Sequence, residues 1–465
     1  MTQTYLFYDI ETTGLNKCFD QIVQFAAIRT DLNLKELERH EFSVKLNCDV
    51  IPAPAAIITH RIGVKHFQDG VSELEAIQQI HALLNTPGTI SVGYNSLGFD
   101  DEFLRFSFYK NLLPPYTHQF SNNCARMDIY PITLLYYLFK KEHLHFPVIN
   151  NKISLKLENL NTHNQFFEGQ SHHAMVDVEI TLKLAQKLAQ DKKMWDYVIQ
   201  YFQKNIDDSR ISESTEKLEI NNQNYNIGFL ASGKLGADNH FMAPVIQLGT
   251  HLHYKNQLLF LRLDLPELRS ATQSDVEKNT YVIRKKLAEP PVFFPFKNRY
   301  FDLLSNERKA EFEKNKLWLI ENSTIFTEIK NFYQHNKYPF VPNRDVDAAL
   351  YDIGFPTPAE ENLFRQFHAA KPSEKSIIAD KFSNKIRQEQ AIRILGRFFP
   401  NFLSEKNKMQ FESYLAADCV DFKNEKKLTR QKALDDIAEI RKNKKLDAKQ
   451  TELLNEYEQY LNKTR

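Results

Sequence analysis

Cysteine is scarce in this chain of 465 residues. The four that occur (Cys18, Cys48, Cys124 and Cys419) lie far apart, with no C-x-x-C pair and no zinc spacing. That pattern excludes a disulfide framework and predicts reduced thiols in a reducing cytoplasm. Net charge is nearly absent too: Lys and Arg total 60 against 59 Asp and Glu, a formal +1. Overall charge therefore announces no polyanionic partner, and any basic surface must be local. Long apolar runs are missing. The longest, Ile129 to Phe139, carries tyrosines and a proline and falls short of the roughly 20 residues that cross a bilayer. The opening stretch MTQTYLFYDI lacks the basic and apolar regions of a signal peptide. No membrane association is expected, and no internal repeat is evident.

What is present describes an ordinary globular protein, 42% hydrophobic and 26% charged, too long for a single core and read as two or three domains. Residues 1–190 read as α/β. Tyr5–Asp9, Val23–Thr30, Glu41–Val44 and Thr89–Tyr94 are strand candidates. Leu74, Ile77, Ile80 and Leu84 form one stripe of a helix over Glu73–Leu84, and further helices are expected at Asp100–Lys110 and Ala174–Ala189. Residues 194–343 have a glycine-rich stretch (Gly228–Gly236), a strand-like LLFLRLDL run (Leu258–Leu265) and prolines at Pro290–Pro295, which suggests a β-containing domain. Residues 346–465 turn helical, over Leu403–Leu415 and Asp435–Leu461. The Lys/Arg-rich run from Lys423 to Lys449 is interleaved with acids and reads as a solvated helical face.

Three short motifs carry chemistry. In YLFYDIETTG, Asp9 and Glu11 are two apart on a strand and so project from the same face, with Tyr8 and Ile10 on the other. Two adjacent carboxylates repel and resist burial, and a divalent cation resolves both costs. Without one, the pair is a solvent-exposed strand end. In GYNSLGFDDEFLR, a strand ends in a turn and a helix opens with Asp100, Asp101 and Glu102. Acids at a helix N-terminus are also ordinary capping chemistry, and spacing does not choose between Asp100 and Asp101. In SHHAMVDV, His172 and Asp177 are about 140° apart on a helical projection, so the histidine must approach from the preceding loop. A neutral histidine near a metal-bound water suits a general base.

Taken in order, D-x-E, F-D and H-x4-D resemble the DEDD exonuclease superfamily, histidine subclass. The superfamily pattern selects Asp100 over Asp101 and His172 over His173. The likeness extends to the bacterial exodeoxyribonuclease I family through QFAAIRTD (24–31), GYNSLGFDDEFLR (93–105), HHAMVDV (172–178) and DVDAALYDIGF (345–355). It implies an RNase H-like exonuclease domain, an SH3-like domain and a helical C-terminal domain, curved around single-stranded DNA. It implies Asp9, Glu11, Asp100 and Asp177 as ligands of two Mg2+ ions, replaceable by Mn2+, and His172 as the base. Glu11, Lys156, Arg105, Tyr116 and Phe120 become contacts to the strand. The family position of Lys156 is typically arginine, so the bidentate phosphate grip is lost here. The implied activity is processive 3′→5′ hydrolysis of single-stranded DNA to 5′-mononucleotides in DNA repair and recombination. A monomer is expected, with the tail of a single-stranded-DNA-binding protein as a partner. The alternatives are a ribonuclease trimming RNA or oligonucleotides, a non-catalytic DNA-binding scaffold, and a polymerase proofreading subunit.

Overall fold

The computed structural model describes residues 3–168 and 173–463. Contacts divide the chain into two compact units that do not follow chain order. One comprises residues 1–126, 167–182 and 340–465, the other residues 127–166 and 183–339.

The first unit is built on a sheet ordered β3-β2-β1-β4-β5, with β1 Thr4–Thr12, β2 Ile22–Thr30, β3 Glu36–Ser43, β4 Thr89–Gly93 and β5 Ala125–Asp128. β1 is central, antiparallel to β2 and parallel to β4. One face of β1 buries Leu6, Tyr8 and Ile10 against Ile77, Ile80 and Leu84 of the helix Glu73–Leu84 and Phe103, Leu104 and Phe108 of the helix Asp100–Lys110. Both helices span the residues that periodicity assigns to them. The strand alternation then forces Asp9 and Glu11 onto the opposite face. β3 begins five residues earlier than its apolar pattern suggests, because its N-terminal half is an exposed edge of charged residues, ELERH. Edge strands of that composition leave no hydrophobic signal.

The C-terminal helices belong to this same unit. Ala433, Ile437, Leu453, Leu454 and Tyr457 bury against Val23, Ile57 and Ile58, while Ile392, Phe411 and Tyr414 share a core with Phe19, Phe106 and Tyr109. The expected Asp435–Leu461 helix is two, Arg430–Asn443 and Ala448–Lys463. The break falls at KKLD, where Asp447 accepts from the Gln450 backbone N–H (2.9 Å). The signal is Asp447 with Gln450 three residues later, a capping pair that opens a new helix inside an otherwise helix-favouring stretch. The Lys423–Lys449 stretch is largely exposed, with Ala433, Ile437 and Ile440 buried on one stripe.

The second unit holds the helix Ile129–Phe139, buried along most of its length, a hairpin of β6 (Val148–Ile149) and β7 (Lys152–Ile153), and a six-stranded antiparallel sheet. That sheet runs β12-β11-β10-β9-β13 with β8 added on β9; the strands are β8 Lys217–Ile220, β9 Gln223–Ala231, β10 Met242–Thr250, β11 Gln257–Arg262, β12 Val282–Lys286 and β13 Val292–Pro295. Gly228 on β9 is required by close approach, since a Cβ there would lie 2.4 Å from the Phe293 ring. The helices Asn306–Glu321 and Ser323–His335 supply Phe312, Leu319, Phe326 and Ile329 to the core over this sheet. Among the described residues, no helix is long and apolar enough to cross a membrane. All four cysteines are free.

Candidate active site

β1 delivers the first two acids. Asp9 lies opposite Ala26 and Glu11 opposite Gln24 on β2. Asp177 arrives in the first turn of the helix Ala174–Leu188, its N–H bonded to His173 O (3.1 Å). Gln24 ties that helix to the sheet. Its Oε1 accepts from the Ala174 N–H (3.1 Å), and its Nε2 donates to Glu41 (3.2 Å) and lies 3.2 Å from His173 Nε2. The sequence reading gave Gln24 no role. Its signal is a lone amide in the apolar run IVQFAAI, buried to 3% exposure, and a buried amide demands partners.

Asp9, Glu11 and Asp177 each offer a carboxylate oxygen within 4.8 Å of the others. Burial, then repulsion from Asp100, Asp177 and Glu11, holds the Asp9 carboxyl well above the usual carboxylate range. Burial, Asp177 and Asp100 push Glu11 up to about 9. Three hard oxygen donors at that separation fit a divalent cation, whose charge removes the mutual repulsion.

The helix Asp100–Lys110 brings Asp100 close enough to raise both Asp9 and Glu11. It is positioned by the turn after β4. A Cβ on Gly93 would sit 2.5 Å from Ser96 Cβ, and Asn95 adopts a left-handed conformation (φ 60°), which asparagine tolerates. The neighbouring Asp101 has a different fate. Burial opposes its charge, but Arg126 (2.7 Å), His118 (3.0 Å) and Arg105 (3.3 Å) outweigh it and hold the carboxyl well below its ordinary value. Two adjacent acids are thus divided by their surroundings: Asp101 is held by Arg126, His118 and Arg105, and Asp100 acts on Asp9 and Glu11.

His172 lies outside the described residues. Arg105 is 8% exposed, and its guanidinium lies 5.7 Å from the centre of the half-buried Tyr116 ring. Phe120 is exposed. Lys156 belongs to the second unit, where it precedes the helix Leu157–Asn164, is largely exposed and lies 3.6 Å from Glu158.

A central strand bearing two acids, joined by acids from two helices, defines an exonuclease-type catalytic domain. The family model described as Exonuclease matches residues 6–185, and the one described as Exonuclease I C-terminal domain matches residues 344–464. The chain is 26% identical to exodeoxyribonuclease I of Buchnera aphidicola subsp. Schizaphis graminum over 98% of its own length and 95% of that protein's. It is 26% identical to the Escherichia coli exodeoxyribonuclease I, over 86% of each chain. The chain belongs to the exodeoxyribonuclease I family and is a nuclease. The fold agrees: a structure of E. coli exonuclease I in complex with a dA16 oligonucleotide superposes with a TM-score of 0.84, at 23% identity and 99% coverage of both chains.

Proposed function

We propose that this chain is a magnesium-dependent 3′→5′ exonuclease that hydrolyses single-stranded DNA to 5′-mononucleotides. The observation that carries the reading is the convergence of three carboxylate oxygens, from Asp9, Glu11 and Asp177, within 4.8 Å of one another. Asp9, Glu11 and Asp177 would hold one cation, and Asp100 would help to hold a second. Such ions, when bound, acidify a water and neutralise charge on the leaving oxygen. Asp9 and Glu11 fix the donor geometry from the rigid central strand, which keeps the carboxylates oriented between turnovers. His172 accepts the proton of the attacking water. Gln24 keeps Asp177 in register by holding the N-terminus of its helix. Substrate specificity is supported by the relatives: the structures similar to this chain include E. coli exonuclease I with a 5cy-dT13 oligonucleotide and a complex titled SSB/Exonuclease I. The tail of a single-stranded-DNA-binding protein is accordingly a second partner. By family resemblance the labour divides among a nuclease domain over 1–190, an SH3-like domain over 194–343 and a helical domain over 346–465, the last sharing a core with the first.

The test is digestion of a 5′-labelled single strand with magnesium, beside the same sequence as RNA and as duplex. A ladder that shortens from the 3′ end on DNA alone is expected. Immediate release of the labelled nucleotide would reverse the polarity, and equal rates on RNA would transfer the protein to the ribonuclease alternative. His172→Ala should slow turnover by about 10²- to 10⁴-fold, the usual cost of losing a general base, with His173→Ala much milder.

A further inference from the structure

We infer that Arg39, on the edge strand β3, is a positioning residue: it fixes the helix Ala174–Leu188 about its own axis and so aims the Asp177 carboxylate at Asp9 and Glu11. The inference rests on the nuclease reading above and adds to it a residue that the catalytic motifs do not contain. Register places the side chain. Phe7 and Asp9 on β1 lie opposite Ile28 and Ala26 on β2, which in turn lie opposite Arg39 and Glu41 on β3. Residues paired in this way share a face. Arg39 and Glu41 therefore stand on the same side of the sheet as the two acids of β1, two strands away.

The N-terminal part of the helix Ala174–Leu188 meets that face at three places. Gln24 on β2 accepts from the Ala174 N–H (3.1 Å), Glu41 lies 3.7 Å from His173 Nε2, and Arg39 Nη1 reaches Glu179 Oε1 at 2.6 Å. Val178 is buried at 1% exposure, and helical geometry sets Asp177 and Glu179 about 100° to either side of it. One flank of the helix thus carries Asp177 toward β1, and the other carries Glu179 toward β3. Arg39 holds the helix from the side opposite to Asp177.

The guanidinium is oriented before it meets the helix. Glu36 accepts from Arg39 Nε–H and Nη2–H at 3.0 and 2.9 Å, a two-pronged contact that leaves Nη1 for Glu179. Glu179 is 8% exposed, so packing confines that end of the pair rather than leaving it splayed in solvent. Small rotations matter here. A side chain's end lies about 5–6 Å from the helix axis, so a turn of about 10° displaces it by on the order of 1 Å. A misplacement of that size can cost about 100-fold in rate. Losing a residue that orients a metal ligand costs about 10- to 100-fold in metal affinity or activity.

The experiment uses the full chain and reads Mn2+ binding from the electron paramagnetic resonance of free Mn2+, beside steady-state hydrolysis of an oligothymidylate. Arg39→Ala should weaken Mn2+ binding and lower kcat by about 10- to 100-fold, with KM for the strand little changed. Arg39→Lys keeps the charge but not the fork and should fall between the parent and Arg39→Ala. Arg39→Ala combined with Glu179→Ala should lose no more than the worse single variant, because both remove one contact. Arg39→Ala that binds Mn2+ and turns over as the parent does overturns the inference. So do single losses that multiply in the double variant. A lower urea midpoint with unaltered Mn2+ binding makes the contact merely structural and overturns it as well. The nuclease reading fails separately. A parent whose Mn2+ site is weakened by Arg39→Ala, yet which cuts no strand, refutes that reading and leaves Arg39 as the residue that aims Asp177.

Discussion

Two buried charge assemblies in the first unit invite comparison. In one, Asp9, Glu11 and Asp177 converge beside Asp100, and burial and mutual repulsion push the Asp9 and Glu11 carboxyls upward. In the other, Asp49 receives Arg397 (2.8 Å), Lys427 (3.4 Å) and Tyr414 OH (2.6 Å), while Arg393 binds Asp345 (2.6 Å) and Asp347 (3.0 Å). Burial opposes the Asp49 charge too, but Arg397 and Lys427 hold its carboxyl well below the ordinary range. Burial acts the same way in both; neighbouring acids add to it at Asp9 and Glu11, whereas Arg397 and Lys427 overcome it at Asp49. Carboxyls pushed upward together by burial and by one another mark a functional site, whereas those pulled down by fixed cations mark a structural network. The compensated network fastens the C-terminal helices to the nuclease fold.

The sharpest way to break this contrast is Asp9→Ala or Asp177→Ala. Each should bring hydrolysis to background while the circular dichroism spectrum is retained, because each removes a cation ligand and not a packing element. Activity should vanish with EDTA and return with magnesium or manganese. A folded Asp9→Ala protein turning over near the parent rate ends the assignment. On the other side, Arg397→Ala leaves Asp49 and Asp347 short of a buried partner and should cost about 3–5 kcal/mol, read from the urea midpoint. Asp101→Asn tests the two acids of one helix turn. It should lower stability by about 1–3 kcal/mol yet keep most of the turnover that Asp100→Asn loses.

The pH dependences should run in opposite directions. Glu11 has a folded value raised to about 9, so without cation the native state binds the extra proton. That stability is full below the unfolded value of about 4.3 and is lost as pH rises toward 9. With EDTA, the unfolding midpoint should fall between pH 5 and 9, and Glu11→Gln should flatten the slope. Asp49 has a depressed folded value. Its contribution is present above about pH 3.9 and drains as the pH falls further. A metal-free midpoint that rises toward pH 9 would contradict the repulsion reading.

Much of the site was legible before the fold was known, and the reason is local geometry. The D-x-E pair shares a face because a strand alternates, and the helices Glu73–Leu84 and Asp100–Lys110 begin and end where pattern places them. Residue type and spacing left the three acids at the start of that helix as ordinary capping chemistry; only the resemblance to the DEDD superfamily singled out Asp100. Tertiary structure decided the rest. The choice between Asp100 and Asp101 depends on Arg126 and His118, which come from a later strand and turn. Gln24 acquires its role only when Ala174, 150 residues away, reaches its Oε1. The C-terminal helices read as a separate domain, yet Tyr457 and Leu454 share a core with Ile57 and Val23. Periodicity records which side of an element is apolar and not what covers it; that partner, like the direction of a buried carboxyl's pKa, is a property of segments distant in the chain.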